Sequence, residues 1–241
     1  MAGLVDLHSH ILPGLDDGPA QLEDAVELVT ALESLGFSEF YPTPHQKAGS
    51  WAPQPAERDD AATALREALR AAGSGVTIHP PAGENMWDDL FLRRQDDGGF
   101  PTYPGGRAFL LEFPPEALPP QLPERLFQFR VGGLLPVIAH VERYPALAGD
   151  PTRLERVGRS AGLLVNVSTL GGIAGWWTRR ATRRLVRKGL VHAAATDSHG
   201  PDDVAYTRAG LQWLRSALGT DATEILLFDN PRRMLAGELP D

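Results

Sequence analysis

The chain opens with Asp6-Leu-His-Ser-His-Ile-Leu-Pro-Gly-Leu-Asp-Asp-Gly18, a concentration of groups able to hold a cation. His8 and His10 follow a short apolar run two residues apart, and Asp16 and Asp17 follow in a turn rich in glycine and proline. Residues two apart on a strand point to one face, so both imidazoles can address one cation, and the turn carboxylates can reach the same place. Six further ionisable residues recur at the ends of apolar segments: His45, Glu84, Glu112, His140, Asp197 and His199. With His8, His10 and Asp17 they make a set of nine, which is more than one ion needs and suits two or three. Imidazole and carboxylate donors without thiolates suit manganese, iron or zinc. Metals about 3.5–4 Å apart can bind a phosphoryl group and activate water as the attacking group. Arg143, three residues past His140, offers the paired donors that suit a phosphate.

A parallel α/β architecture would bring these residues together. Buried strands are expected at 4–7, 37–41, 76–78, 108–113, 134–139, 163–167 and 191–195, with the third running on towards Gly83-Glu84. Helical spacing is expected at 22–35 (Leu22, Ala25, Val26, Val29, Leu32), 56–72, around 122–129, and at 152–161, 176–188, 205–218 and 223–235. Strand and helix thus alternate seven times, and the strands are almost wholly apolar, as in a sheet covered on both faces. Residues 85–107 show no periodicity and read as a long active-site loop. In a closed parallel barrel the carboxyl ends of the strands meet at one rim, where the nine residues would converge.

Bulk properties exclude several classes. The 241 residues suit one domain spanning 1–241, and 42% hydrophobic content with 22% charged residues is ordinary for a globular chain. A net charge of -8 argues against nucleic acid as a partner. The absence of cysteine removes thiolate ligands, disulfides and a cysteine nucleophile. No basic segment with a following apolar run opens the chain, and no stretch approaches the roughly 18 apolar residues of a spanning helix, so membrane insertion is not expected and the cytoplasm is the expected compartment. No dinucleotide or phosphate-loop glycine motif occurs; Gly171-Gly172 is too short a fragment to count as one.

Asp-Leu-His-Ser-His-Ile-Leu-Pro-Gly-Leu-Asp-Asp-Gly-Pro resembles the opening of the polymerase-and-histidinol-phosphatase (PHP) superfamily. More narrowly it resembles the bacterial metal-dependent protein-tyrosine phosphatases of capsule and exopolysaccharide loci. Thr43-Pro-His45, Gly83-Glu84, Leu110-Leu-Glu-Phe113, Ile138-Ala-His-Val-Glu-Arg-Tyr144, Val165-Asn-Val-Ser-Thr-Leu-Gly-Gly172, Ala195-Thr-Asp-Ser-His199 and Asn230-Pro-Arg-Arg-Met-Leu-Ala-Gly237 extend the likeness over nearly the whole chain. The resemblance implies a distorted seven-stranded β/α barrel of the TIM-like PHP type. It implies three divalent or trivalent metal ions, manganese first, with iron or zinc as substitutes. His8, His10, Glu112 and Asp197 would hold the first, with Glu112 bridging to a second held by Glu84 and His140. Asp17, His45 and His199 would hold the third, leaving Asp16 a structural part. Arg143, Glu112 and His140 would work at the reacting atoms, with Arg143 on the substrate phosphate. The implied reaction is hydrolysis of phosphotyrosine by a metal-held hydroxide, and the implied partner is a phosphorylated tyrosine kinase or its tail.

The family pattern is not met everywhere. His140-Val-Glu-Arg-Tyr144 has valine where the family has proline, and Asn85-Met-Trp stands where aromatics are usual. A second phosphate-binding arginine falls at Val204, with Arg208 one helical turn on as its substitute. Alternative readings are a phosphatase for a small monoester such as histidinol phosphate or a nucleotide, an amidohydrolase, and an inactive metal-binding regulatory domain. The amidohydrolase needs a bridging lysine where this chain has Glu112. His79 and His192 read as structural histidines. Trp51 and Trp87 lie in loops near the expected rim as a candidate wall for a tyrosine ring, while Trp176 and Trp177 fit a core. The arginine-rich segment around Arg179, Arg180, Arg183, Arg184, Arg187 and Lys188 reads most simply as a solvated helix face, and secondarily as a dock for a phosphorylated, acidic partner chain.

Overall fold

The strands are short, most are buried along their whole length, and all of them pair in parallel. The computed structural model describes residues 3–97 and 99–240. Its strands are β1 (Leu4–Asp6), β2 (Phe37–Phe40), β3 (His45–Gln46), β4 (Thr77–Ile78), β5 (Glu84–Met86), β6 (Ala108–Glu112), β7 (Leu135–Ile138), β8 (Gly162–Asn166) and β9 (Ala193–Ala195). They form a three-stranded sheet in the order β1-β2-β4 and a six-stranded sheet in the order β3-β5-β6-β7-β8-β9. Helices follow every strand except β2 and β4 and cover the outer surface, giving an α/β fold with a curled parallel sheet.

Nine strand segments therefore stand where seven strands were expected. The prolines explain the difference. Pro42 and Pro44 separate β2 from β3, and Pro80 and Pro81 separate β4 from β5. Proline has no N–H to give to a ladder, so each run breaks and resumes in the neighbouring sheet. Backbone bonds cross the breaks: Ala82 N–H donates to Pro42 O (2.9 Å) and Glu84 N–H to Pro44 O (3.1 Å). At the other edge, Asp197 N–H donates to His8 O (2.8 Å) and His10 N–H to Ser198 O (3.0 Å). Asp6, fully buried at the end of β1, accepts from Thr196 N (2.9 Å) and Thr196 Oγ1 (2.6 Å), which ties β1 to the end of β9.

The helices follow their apolar spacing. Leu22–Glu33 buries Ala25, Leu28, Val29 and Leu32, and Pro55–Ala71 buries Ala62, Leu65 and Leu69. At the start of Pro55–Ala71, Gln54 N–H donates to the Glu57 carboxylate (2.6 Å) in a capping box. Residues 85–107 are not a structureless loop. They hold the end of β5 and a helix, Asp89–Asp97, whose first turn is capped by Asp88 through Leu90 N (2.8 Å) and Phe91 N (3.0 Å). That helix buries Phe91 alone, so it leaves no apolar stripe in the sequence to read. Among the described residues no helix is long and apolar enough to cross a membrane.

Two glycines have a packing purpose. The Val167–Gly171 and Asp203–Leu218 helices cross so closely that a Cβ on Gly171 would lie 1.9 Å from Tyr206 O, and one on Gly210 2.0 Å from Val167 O. Gly210→Ala is therefore expected to cost about 3 kcal/mol through overpacking against rigid backbone. Urea unfolding checks this, with Gly200→Ala as the control, since a Cβ there meets nothing within 4 Å.

His192 accepts from Leu163 N–H through Nδ1 (3.0 Å), and burial pulls its imidazole down to about 4. The folded state thus favours neutral His192. Its contribution is complete above the ordinary histidine value of about 6.5 and is lost as pH falls from there through 4. His192→Gln keeps an acceptor but cannot titrate. Relative to the parent, it is expected to lose about 3 kcal/mol less stability between pH 7 and pH 4, read by denaturant midpoints in the presence of chelator.

Candidate metal centre

All nine residues marked by the sequence meet on one side of the sheet. β1 ends at Asp6, so His8 and His10 lie beyond the strand and are aimed by the backbone bonds to Asp197 and Ser198 rather than by strand alternation. Their rings stand 5.2 Å apart, and His10 stacks on His199 at 4.1 Å. His45 and Glu84 are register partners at the first positions of β3 and β5. Glu112 closes β6, while His140 and Asp197 each stand two residues beyond the ends of β7 and β9. His140 (φ 32°) and Asp197 (φ 51°) both take the left-handed backbone region, as Gln121 does elsewhere among the described residues. Two of these three strained non-glycine positions are site residues, and such strain persists where the surroundings over-determine it.

The distances define overlapping groups. His8 Nε2 is 3.1 Å from Asp197 Oδ1 and 3.2 Å from Glu84 Oε1, and His10 Nε2 is 3.5 Å from both carboxylates. Glu84 also reaches His45 Nδ1 (2.8 Å) and His140 Nε2 (2.9 Å). Glu112 lies 3.6 Å from His140 and 3.9 Å from His45. Asp17 Oδ1 is 3.4 Å from His45 Nε2 and 3.3 Å from His199 Nε2, which gathers the third expected group, with His10 beside it. By distance Glu84 is the carboxylate at the centre, whereas the resemblance gives the bridging place to Glu112.

The donor set fits metal ions. His8 Nε2, His10 Nε2, His45 Nδ1, Glu84 Oε2 and Glu112 Oε2 are buried and make no hydrogen bond. Buried polar atoms ordinarily find a hydrogen-bond partner, and five such atoms facing one another fit a shared cation. Electrostatics agree. Burial opposes the charge on His8, but Glu84 and Asp197 push its imidazole up to about 9. Burial likewise opposes the charge on His45, and Asp17 with Glu84 pushes it up to about 10. Burial and the neighbouring Glu84 charge push the Glu112 carboxyl up to about 8. Carboxylates crowded like this demand positive charge, which protonated histidines supply until a metal does.

The residues behind the donors were largely missed by sequence reasoning. Thr43 Oγ1 bonds His8 Nδ1 (2.7 Å), and Asp16 Oδ2 bonds His10 Nδ1 (2.6 Å) while accepting from His45 N–H (3.0 Å). Asp16 thus braces the His10 ring and the His45 backbone, while Asp17 faces His45 and His199. Gly18 lets the turn close: its Cβ would fall 2.0 Å from His10 O. Tyr144 Oη stands 3.4 Å from His140 Nδ1 and accepts from Phe113 N–H (3.1 Å). Asn166 at the end of β8 donates to Asp197 Oδ2 (2.5 Å), and its own N–H donates to buried Glu142 (2.9 Å). Such partners fix the ring orientation of ligands. Their one sequence signal was adjacency to the strand-end motifs.

Arg143 donates to Asp197 Oδ2 (2.6 Å) with its side chain 47% exposed, so the rest of its guanidinium faces outward beside the cluster. Trp51 stacks on His45 (5.3 Å, 17° between planes) at the rim, whereas Trp87 packs against Phe91 and Phe113. Trp176 and Trp177 do not enter the core; both are exposed. Val204 is buried, and Arg208 lies on the exposed side of the Asp203–Leu218 helix.

The family model for capsular polysaccharide synthesis proteins CpsB/CapC matches residues 4–236. This chain belongs to the CpsB/CapC family. It is 29% identical over 243 residues to the tyrosine-protein phosphatase YwqE of Bacillus subtilis, covering 98% of this chain and 92% of that protein. Among solved structures it superposes with a TM-score of 0.87 and 26% identity on one described with YwqE of Bacillus subtilis and CpsB of Streptococcus pneumoniae as unique metal-dependent tyrosine phosphatases, over 98% of this chain and 95% of that one. An amidohydrolase from Mycoplasma synoviae superposes at 0.61 with 13% identity, over 97% of this chain and 88% of that one, a likeness of fold. For the CpsB/CapC member described here, the amidohydrolase reading has no bridging lysine: Lys188 caps an outer helix, and Lys47 lies in the loop after β3.

Proposed function

We propose that this chain is a metal-dependent protein-tyrosine phosphatase, a phosphoric monoester hydrolase acting on a phosphorylated bacterial tyrosine kinase or its tail in capsule or exopolysaccharide synthesis. The observation that carries the reading is the set of buried, orphaned imidazole and carboxylate atoms facing one another beside an outward guanidinium. The metal count is three, with manganese the first choice, the compartment is the cytoplasm, and the whole chain is one catalytic domain. The nine strand segments count as a distorted seven-stranded barrel when β2 with β3 and β4 with β5 are each taken as one strand interrupted by prolines.

His8, His10 and Asp197 hold one ion together with Glu84 or Glu112. Glu84, Glu112 and His140 hold a second, and Asp17, His45 and His199 a third. The metals would supply Lewis-acid polarisation of the phosphate and an activated water. Arg143 binds the non-bridging phosphate oxygens with the donors that Asp197 does not use, and the Asp197 contact keeps its long side chain in place. Asp16, Thr43 and Tyr144 hold the rings of His10, His8 and His140, so the donors do not reorganise during the reaction. The leaving group is a phenolate of pKa about 10, which needs less proton assistance than an alkoxide.

The test is turnover with each metal restored to metal-free protein. Phosphotyrosyl peptides are expected to be hydrolysed with a kcat/KM at least about tenfold above that for histidinol phosphate or nucleoside monophosphates, a gap of roughly 1.4 kcal/mol. Equal or better turnover of the metabolites would favour the small-monoester reading.

A further inference from the structure

The arginine-rich helix, Gly175–Arg187, runs from the site's rim down the outside of the fold. It joins β8 to the parallel β9, so it is antiparallel to both strands. Its amino end follows the short Val167–Gly171 helix, which begins directly after Asn166, the donor to Asp197. Its side packs against the turn Val141–Arg143 that carries Arg143. At its rim end Trp176 and Trp177 pair edge-to-face at 4.4 Å while 52% and 79% exposed. Two exposed tryptophans side by side are unusual on a surface that contacts only water.

Below them the helix carries five arginines and no acidic residue, in a chain of net charge -8. Among the described residues the ion pairs of arginine are those of Arg143, Arg232 and Arg233, so none of these helix cations is neutralised by a carboxylate. Arg183 is partly committed inward, donating to Leu170 O and lying over the Trp213 ring. Arg180, Arg184 and Lys188, spaced four apart, share an exposed face running on from the tryptophan pair.

We propose that this face docks an acidic segment of the polypeptide that carries the phosphotyrosine. The inference rests on the phosphatase reading and adds where the substrate chain lies outside the metal centre. A strip of cations about 12 Å long suits a short anionic peptide. An anionic membrane or nucleic acid would also meet the rest of a net-negative body and be repelled by it. The tryptophan pair gives the chain an apolar hold where it turns into the rim. Arg180 over the Trp176 ring (5.8 Å) joins the two parts of the strip.

The test compares the parent with Arg180→Glu/Arg184→Glu/Lys188→Glu on three probes, using the full chain with metal restored. The probes are a phosphotyrosyl peptide with Asp/Glu flanks, the same peptide with Asn/Gln flanks, and para-nitrophenyl phosphate. The expected result is a KM for the acidic peptide raised roughly tenfold at low salt, with the gap closing as screening increases. The neutral peptide and the kcat on the aryl phosphate stay at the parent's values, and Arg180→Gln/Arg184→Gln/Lys188→Gln gives a smaller effect in the same direction. An unchanged ratio of acidic to neutral KM overturns the dock. Loss of activity on all three probes would be an unfolding effect, visible as a lowered Tm; the glutamine variant then decides by the same ratio. A parent that hydrolyses none of the probes defeats the phosphatase reading instead. In that case anisotropy of the unphosphorylated acidic peptide judges the dock, and no binding by the parent overturns it. Charge-dependent binding to phosphatidylglycerol vesicles but not to the acidic peptide also overturns it.

Discussion

His45→Ala and His140→Ala are each expected to lower kcat/KM on para-nitrophenyl phosphate by more than about a hundredfold, the loss that removing even an outer partner of a ligand can reach. The two histidines sit on opposite sides of Glu84, at 2.8 Å and 2.9 Å from its two carboxylate oxygens, so each deletion opens a different group. His45 belongs with Asp17 and His199, whereas His140 belongs with Glu84 and Glu112. Metal content should therefore fall in both variants but not to the same remainder, which elemental analysis alongside the assay reads. Neither change fills space in the core, and far-UV circular dichroism should match the parent. Undiminished turnover in either variant would remove that residue from the centre. Loss of turnover with full metal content would instead make it a group that acts on substrate.

Stripping the metals is expected to cost stability as well as activity. Any ligand that binds only the folded state stabilises it by mass action, about 2.7 kcal/mol at a hundred times its Kd. For a chain of this size that corresponds to a Tm lower by roughly 5–10 °C after chelation and desalting. The cause is local. Without a cation the Glu112 carboxyl is pushed up to about 8 by burial and by Glu84, and five buried donor atoms make no hydrogen bond. Restoring manganese, iron or zinc singly should recover Tm and turnover to different degrees, and the ratio of metal to chain at recovery measures how many ions the centre holds. A Tm unchanged by chelation, in protein first shown to contain metal, would mean that the cluster is satisfied by its protonated histidines alone.

Much of the site was legible because its residues are tied to strand ends, and strand ends are marked by apolar runs stopping at a polar residue. Glu112 after Ala108-Phe-Leu-Leu, and Asp197 after Ala193-Ala-Ala-Thr, can be read this way from one line of sequence. His45 and Glu84 are different. Their strands are two and three residues long, cut off by Pro42, Pro44, Pro80 and Pro81, and they pair with each other across the sheet. No periodicity survives in so short a run, and the strand count differed for the same reason. The Asp89–Asp97 helix escaped notice because one buried phenylalanine makes no stripe. The exposure of Trp176 and Trp177 was equally hidden, since an aromatic pair beside an apolar stretch reads the same whether it faces in or out.

Composition and order along the chain determined the class of chemistry. Histidines and carboxylates without cysteine point to hard-metal hydrolysis, and seven alternations of strand and helix point to a parallel α/β frame. Tertiary structure alone decided which donors lie close enough to share an ion, because that depends on distances between segments far apart in the chain. It set Glu84 against the rings of His10, His45 and His140, Asp16 against His10 and Asn166 against Asp197. It also set a cationic helix beside the turn of Arg143. Spacing can say that two side chains leave the same edge of a sheet. Only the curl of the sheet and the breaks at its prolines bring their atoms to within ligand distance.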